Sequence, residues 1–186
     1  MIEAELKARV RDPESVMMQL DQRAEAIAEL YRDTYYDVPS GDLGAQDREL
    51  RVRTIQGEGS PRSVLTYKGP RIDEASGSKP EHETRVDDPE AVDAILRGLG
   101  FSPVTAFQKR CRNYHFSAHG RRVLATLVQV PEIEGTFLEV ETLVREEGEL
   151  PAALNDVRMI MTELGIHESD LTTELYTDAV AAYRAS

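Results

Sequence analysis

The sequence predicts an α+β fold in which an antiparallel sheet of about eight strands closes into a barrel, with helices packed outside. Segments in which apolar and polar residues alternate outnumber the helical segments and come in runs, which is typical of α+β proteins with an antiparallel sheet. Charged residues recur at every second position in several of these segments, and about eight strands suffice to close a barrel. With 186 residues, of which 40% are hydrophobic, the chain is expected to form a single domain over residues 1–186.

The first strand is predicted at residues 2–10, where charged and apolar residues alternate. Because side chains on a strand point alternately to its two faces, Glu3, Glu5 and Lys7 share one face and Arg9 continues the row. The opposite face carries Ile2, Ala4, Leu6, Ala8 and Val10. The charged row is compatible with a solvated edge strand, but its recurrence in later strands favours a charged cavity.

The segment after this strand is predicted to be a helix, because Asp12 can cap it and Pro13 suits its first position. Apolar residues then recur at helical spacing as far as Tyr31, which predicts a helix over residues 13–31. The next segments are predicted to be a strand at 32–38 and a loop at 41–47.

The remaining strands are identified by alternation, and the remaining helices by their caps and apolar stripes. Strands are predicted at 50–55, 63–68, 81–86, 104–117, 121–130 and 136–144. Residues 57–61 are expected to form a hairpin turn, and residues 69–80, rich in Gly, Pro and Ser, a loop. Helices are predicted at 88–99, 151–164 and 173–184, and the first two end at Gly100 and Gly165.

Several later strands repeat the charge pattern of the first. The charged residues that share a face within their strands are Glu49, Arg51, Arg53, Lys68, Lys79, Glu81, Glu83, Arg110, Arg112, Glu139 and Glu141. If these side chains point into a barrel, the apolar faces of the same strands point outward, and the amphipathic helices can cover them. The inverted arrangement, with aliphatic side chains inside, would leave the apolar helix stripes little to pack against and is disfavoured.

A tunnel lined in this way favours the binding of a polyanion together with a metal ion. Arginine and lysine in a confined space suit phosphate oxygens, which arginine can bind through two parallel hydrogen bonds. Paired glutamates in the same space repel one another unless they share a hard cation such as Mg²⁺ or Mn²⁺. Metal and cationic side chains around a phosphoryl group are the usual requirements of phosphoryl transfer.

Composition excludes several other classes of function. A formal net charge of −12 argues against non-specific nucleic-acid binding, and it requires that an anionic substrate be held by a local cationic cluster. The single cysteine, Cys111, rules out an internal disulfide. Because the sequence shows no secretory leader or membrane-spanning run, the protein is expected to be cytoplasmic and to make no membrane contact, either as a monomer or as a homodimer.

Six segments resemble, in order and spacing, the motifs of the CYTH superfamily of triphosphate tunnel metalloenzymes, which includes class IV adenylate cyclases and thiamine triphosphatases. They are Glu3-x-Glu5-x-Lys7, Tyr35-Tyr36-Asp37, Leu50-Arg51-Val52-Arg53, Thr66-x-Lys68, Glu81-x-Glu83 and Phe137-Leu138-Glu139-Val140-Glu141. The segment from Leu171 to Tyr176 resembles the C-terminal part of the cyclase-type members. The resemblance implies a closed antiparallel β-barrel that binds a nucleoside or inorganic triphosphate with basic residues, and Mg²⁺ or Mn²⁺ with glutamates.

The resemblance also implies a role for each matching residue. The expected metal ligands are Glu3, Glu5, Glu139 and Glu141, helped by Glu81 or Glu83. The expected triphosphate-binding residues are Lys7, Arg51, Arg53, Lys68, Arg110 and Arg112. Of these, Lys7, Arg53 and Lys68 are the catalytic candidates.

The chain departs from the family pattern at two positions. The pattern Leu-Asp-x-Val places an aspartate where this chain has Val128, and Glu132 or Glu134 is an alternative source of that carboxylate. The family's Lys-x-Arg pattern falls on residues 109–112, where either Lys109 or the pair Arg110 and Arg112 can face the tunnel; the arginine pair is favoured here.

The function expected from these residues is that of a class IV adenylate cyclase, which converts ATP to cyclic AMP and pyrophosphate. An alternative enzyme activity is hydrolysis of an inorganic or organic triphosphate, including thiamine triphosphate. A third hypothesis is a triphosphate- or polyphosphate-binding module that lost its chemistry together with the aspartate.

Overall fold

The wall of the fold is an eight-stranded antiparallel sheet that closes into a barrel, which confirms the predicted fold class. The computed structural model describes residues 1–186. Its strands are β1 (Ile2–Val10), β2 (Ala26–Asp37), β3 (Glu49–Gln56), β4 (Arg62–Lys68), β5 (Lys79–Val86), β6 (Ser102–Ala118), β7 (Arg121–Gln129) and β8 (Thr136–Val144). Around the barrel they follow the order β1-β5-β4-β3-β2-β6-β7-β8, and β8 pairs with β1 to close it.

Five helices accompany the barrel. They are α1 (Pro13–Asp21), α2 (Asp42–Ala45), α3 (Pro89–Gly98), α4 (Leu150–Glu163) and α5 (Tyr176–Ala185). The predicted N-caps form, since the carboxylate of Asp12 accepts from Ser15 N–H at 3.1 Å and that of Asp88 accepts from Ala91 N–H at 2.9 Å. None of the helices combines the length and the apolar character that crossing a bilayer requires.

The prediction of a helix over residues 13–31 is wrong beyond Asp21. Residues 26–37 form the long strand β2, which pairs with β6 along its whole length and with β3 along its second half. These two ladders outweigh the local helical spacing of the apolar residues. The signal that could have revealed the strand is the alternation of Glu29, Tyr31, Asp33 and Tyr35, which all face the barrel interior.

The main apolar core lies outside the barrel. The outward faces of β1 and β8, which include Leu6, Leu138 and Val140, are buried against α4, where Val157 and Ile160 are fully buried. Truncating a buried aliphatic side chain of this kind costs about 2–5 kcal/mol, so this layer supplies much of the stability. Because the apolar faces are satisfied outside, the charged faces of the same strands are free to line the interior.

The C-terminal segment bonds to β1 beyond the short stretch in which β1 pairs with β5. β1 pairs with β5 at Ile2 and Glu3, and further along β1 the backbone of Thr172 donates to the carbonyl of Lys7 at 2.9 Å. The helix α5 then follows across one end of the barrel. Two residues of α5, Tyr176 and Val180, pack with side chains of the barrel interior in an apolar cluster. This cluster consists of Tyr35, Phe107, Cys111, Val128, Val130, Phe137, Tyr176 and Val180.

Candidate active site

The interior of the barrel holds two cavities of about 140 and 250 Å³ that are lined mainly by charged and polar side chains. Both cavities are lined by Glu3, Arg51, Arg53, Lys109, Glu139 and Glu141. Glu5, Lys7 and Lys68 line the smaller cavity only. The structure thus places these residues inside, as the period-2 charge pattern predicts. The exception is β6, where the sequence favours Arg110 and Arg112 and the structure instead has Lys109 inside.

Three carboxylates meet at the seam between β1 and β8. Ligand oxygens of Glu3, Glu5 and Glu141 lie within 4.8 Å of one another, and Glu5 and Glu141 are directly opposite each other in the ladder. Burial and the nearby charges of Glu139 and Glu3 raise the pKa of Glu5 to about 7. Burial and the charges of Glu3 and Glu5 likewise raise the pKa of Glu141 well above its ordinary value. When all three carboxylates are ionised, the cluster thus carries more negative charge than its surroundings neutralise.

One cation balances part of this charge. The ammonium group of Lys68 is bonded to Glu3 and lies 3.2 Å from Glu81. Burial alone would raise the pKa of Glu3, but the charge and the hydrogen bond of Lys68 lower it overall. Since Lys68 is engaged with Glu3 and Glu81, Glu5 and Glu141 remain the undercompensated pair.

The donor set fits a hard divalent cation. Carboxylate oxygens are the ligands that Mg²⁺ and Mn²⁺ prefer, and a cation would relieve the repulsion that raises the pKa of Glu5 and Glu141. When bound, such an ion would neutralise charge on a phosphoryl group in the tunnel. The residues that could hold it are Glu3, Glu5 and Glu141.

The other predicted metal ligands lie outside this cluster, and Glu81 pairs with Lys68. Glu139 has an oxygen 4.0 Å from the ammonium group of Lys109, and although burial would raise its pKa, Lys109 and Lys7 lower it. Glu83 is exposed and accepts a hydrogen bond from the Thr66 hydroxyl at 2.9 Å. In the structure Glu139 is thus the partner of a cation, and Glu83 lies at the edge of the larger cavity.

A buried ion pair with Asp33 fixes Arg53 in the opposite wall of the tunnel. Arg53 donates to both carboxylate oxygens of Asp33, each at 2.7 Å, and its guanidinium lies 4.4 Å from the ring centre of Tyr31. Burial would raise the pKa of Asp33, but the charge and hydrogen bonds of Arg53 hold it well below its ordinary range. The sequence does not reveal the role of Asp33, because the predicted elements divide β2 between the end of a helix and a shorter strand.

Arg51 offers an unused donor in the same wall. It donates through a terminal nitrogen to the Thr66 hydroxyl at 3.2 Å, and its other terminal nitrogen lies 3.9 Å from Asp33. Its Nε is buried and has no hydrogen-bond partner. A buried donor without a partner costs about 1–3 kcal/mol, which a phosphate oxygen in the tunnel would offset.

Arg110 and Arg112, which were expected to bind phosphate, face away from the tunnel. Arg110 is exposed, and both arginines border an outer groove beside α1. Arg112 donates to the Tyr114 hydroxyl at 2.7 Å and to Asp21 at 3.2 Å. The prediction was wrong by one residue, because both faces of this segment carry positive charge and only its pairing with β2 decides which one is inside.

Lys109 is the cationic residue that β6 contributes to the tunnel. It lies opposite Tyr31 in the ladder, is 5% exposed and lines both cavities. The interior face of β6 continues at Cys111, so Cys111 stands where the Lys-x-Arg pattern has its arginine. Lys79, which the charge pattern also places on an inward face but to which the family resemblance gives no role, bonds Glu49 at 2.7 Å at the smaller cavity.

Replacing Lys109 by methionine is expected to weaken the binding of tripolyphosphate at least tenfold, because a charge-assisted hydrogen bond is lost. Replacing Arg110 by methionine removes the same charge from the outer face and should leave the affinity within about twofold. Isothermal titration calorimetry of both variants in one buffer makes the comparison. A large loss at Arg110 with no loss at Lys109 would contradict the register seen here.

Val128, which stands where the family pattern has an aspartate, also faces the interior of the barrel. Leu124 and Thr126, which precede it at the same parity, line the larger cavity, whereas Gln129 is exposed. Val128 itself is fully buried in the apolar cluster at the end of the barrel. Glu132 and Glu134, the alternative carboxylates, do not border either tunnel cavity, and Glu132 pairs with Arg184 at 2.9 Å.

Introducing aspartate at Val128 is therefore expected to destabilise the metal-free protein by on the order of 3 kcal/mol, since an unpaired carboxylate would be buried among apolar side chains. If a divalent ion can reach this position, Mn²⁺ should raise the melting temperature of Val128→Asp by more than that of the wild type. Gln129→Asp is the matched control and should show neither effect. An equal Mn²⁺ response in both variants would mean that no metal position lies beside Val128.

Residues 1–176 match the CYTH domain, which is nearly the whole chain. The Methanocaldococcus jannaschii protein MJ0240, which carries a provisional adenylate cyclase name, is 27% identical over 180 residues, or 96% of this chain and 98% of the relative. The solved structure of the PH1819 protein from Pyrococcus horikoshii superposes with a TM-score of 0.82 at 30% identity, covering 97% of this chain and 98% of that one.

The fold is shared at lower identity as well. HpAC1 from Hippeastrum superposes with a TM-score of 0.64 at 19% identity and covers 100% of this chain and 96% of its own. The domain match extends from the first strand to the start of α5 and so includes every strand of the tunnel. The chain therefore belongs to the CYTH domain family.

Proposed function

We propose that this protein is a metal-dependent enzyme that acts on a triphosphate, and that its reaction is that of a class IV adenylate cyclase. The observation that carries the proposal is the enclosure of an undercompensated carboxylate cluster and several cationic side chains in one tunnel. On a solvated surface such charges could lie far apart. In the tunnel, a metal ion would complement the carboxylates and a triphosphate would complement the cationic side chains. The provisional cyclase name of MJ0240 supports the choice of reaction.

In this reaction the 3′-oxygen of ATP attacks the α-phosphorus, the bond to the bridging oxygen breaks, and pyrophosphate leaves with the electron pair while the hydroxyl proton passes to water. Arg51, Arg53 and Lys109 would bind the phosphate oxygens from one side of the tunnel, and Glu3, Glu5 and Glu141 would hold the metal from the other. Lys7 and Lys68 line the smaller cavity and would stabilise the charge that develops on the leaving group. Because Asp33 fixes Arg53 beforehand, this stabilisation requires little reorganisation.

Hydrolysis of a triphosphate is the second candidate, with water attacking the terminal phosphorus. The two cavities favour it in one respect, because they are small and only 3 and 5 of their 18 lining residues are hydrophobic, which suits a bare triphosphate better than a base. HpAC1 from Hippeastrum is described as having a dominant triphosphatase activity. Val128 and Cys111 stand where the family pattern has an aspartate and an arginine. Their lack of charge would suit a third candidate, a binding module without turnover.

Product analysis separates the three candidates. The protein is incubated with ATP and, separately, with tripolyphosphate, each with Mg²⁺ and with Mn²⁺, and the products are followed by ³¹P NMR and chromatography. Cyclic AMP and pyrophosphate would establish the cyclase, and orthophosphate would establish the hydrolase. Binding of tripolyphosphate by calorimetry without any product would leave the binding module, and no binding at all would refute the proposal.

A further inference from the structure

Tyr176 brings an aromatic ring between two cations of the tunnel. It is the first residue of α5, is 7% exposed and lines the smaller cavity. The ammonium group of Lys109 lies 4.1 Å from its ring centre, and that of Lys7 lies 4.5 Å away. These lysines belong to β6 and β1, which are not neighbours in the sheet, so Tyr176 contacts the cations of two separate strands.

The ring of Tyr176 is held by packing contacts in the apolar cluster at the end of the barrel. Phe137 meets it edge-on at 5.3 Å between ring centres, with an angle of 89° between the planes. Val180, one helical turn further along, is fully buried in the same apolar cluster. Arg184 anchors the far end of α5 by donating to the carbonyl of Ala106 at 2.8 Å. The orientation of Tyr176 is therefore set by packing and does not depend on the lysines.

The chain immediately before Tyr176 is tied to the same lysine that the ring contacts. The ammonium group of Lys7 donates to the backbone carbonyl of Glu174, and the carboxylate of Glu174 pairs with Arg9 at 3.2 Å. The Tyr176 hydroxyl is buried and faces the carboxylate of Glu139, with which it interacts without ideal hydrogen-bond geometry. The ring face and the backbone before it thus contact Lys7, whereas the hydroxyl is directed at Glu139.

We propose that Tyr176 is a positioning residue, whose ring fixes the ammonium groups of Lys7 and Lys109 at the spacing with which they bind a triphosphate. Two like charges in a confined space repel each other, and a ring that attracts both holds them without neutralising either one. A carboxylate in the same place would also attract both lysines, but it would compete with the phosphate oxygens for them. The inference rests on the proposed function, since it names how the C-terminal segment contributes to the triphosphate site.

The test compares two substitutions of Tyr176 in the full-length protein, with tripolyphosphate and Mn²⁺ as the titrated probe. Tyr176→Phe keeps the ring and should bind within about twofold of the wild type, whereas Tyr176→Leu should bind about tenfold more weakly. Tyr183→Leu, an exposed tyrosine of the same helix, is the control and should bind as the wild type does. If Tyr176→Leu does not fold, Tyr176→Met fills the space with a flexible side chain and replaces it.

A double-mutant cycle distinguishes positioning from simple packing. Because Tyr176 acts through both lysines, Tyr176→Leu should weaken binding by less in a Lys109→Met background than in the wild type, and by less than about twofold when Lys7→Met is present as well. Additive losses, equal losses in the Phe and Leu variants, or unchanged binding by a folded Leu variant would each overturn the inference. Absence of binding by the wild type would refute the proposed function and this inference with it, whereas wild-type binding together with any of those results refutes this inference alone.

Discussion

Replacing Glu141 by glutamine is expected to stabilise the metal-free protein while removing most of its affinity for Mn²⁺. Glu141 is half-buried beside Glu3 and Glu5, and its carboxylate cannot ionise without facing both of them. Glutamine keeps the volume and removes the charge, so the apo protein loses a source of repulsion. The same change removes one of three ligands, and the remaining two cannot complete an oxygen shell.

The pH dependence of the apo protein follows from the direction of these shifts. Folding raises the pKa of Glu5 from 4.5 to about 7 and also raises that of Glu141, so the folded chain holds protons that the unfolded chain releases. Their stabilising contribution is complete below pH about 4.5 and is lost as the pH rises through about 7. For a shift as large as that of Glu5 this amounts to roughly 3 kcal/mol.

Thermal unfolding in EDTA between pH 5.5 and 8 measures this contribution, and calorimetry with Mn²⁺ measures the affinity. The melting temperature of the wild type should fall over this range, and that of Glu141→Gln should fall less. Glu83→Gln is the matched control, because Glu83 is exposed and lies outside the cluster, and it should behave as the wild type does. A Glu141→Gln protein that is less stable in EDTA would contradict the repulsion within the cluster, and one that binds Mn²⁺ normally would show that Glu141 is not a metal ligand.

The sequence could predict the tunnel because the relevant signal is local. Alternation with period 2 assigns each side chain of a strand to a face, and in β1, β3 and β8 one face is charged and the other aliphatic. Only one assignment of faces lets the helices bury the aliphatic residues. Glu3, Arg53 and Glu141 could therefore be placed inside without knowledge of how the strands pair.

The β6 segment could not be assigned in this way because both of its faces are positively charged. Lys109 and Arg110 are distinguished only by the ladder with β2, and half of β2 had been assigned to a helix. Distances across the barrel also lie beyond sequence reasoning, since Glu139 and Glu141 share a face and a motif but only Glu141 joins the carboxylate cluster. The contribution of Tyr176 depends on where the C-terminal segment packs, for which no local pattern exists.

Replacing Asp33 by asparagine is expected to be the most destabilising conservative change in the tunnel. The Asp33 side chain is fully buried and its carboxylate holds Arg53 through two hydrogen bonds, with Arg51 at 3.9 Å. Removing its charge leaves two largely buried guanidinium groups without their counterion, and breaking a buried pair in this way costs about 3–5 kcal/mol. Because folding lowers the pKa of Asp33, its contribution is present above pH 3.8 and is lost as the pH falls below that value.

Urea unfolding of Asp33→Asn, Arg53→Met and the double variant measures the coupling. The double variant should be more stable than the sum of the two single losses predicts, because each single change leaves a buried charge unpaired and the double change leaves only Arg51. Tripolyphosphate should raise the unfolding midpoint of Asp33→Asn by more than that of the wild type, since the anion supplies the missing counter-charge. If Asp33→Asn unfolds at the wild-type urea concentration, the pair does not hold Arg53, and the arginine must then be ordered by the triphosphate on binding rather than in advance.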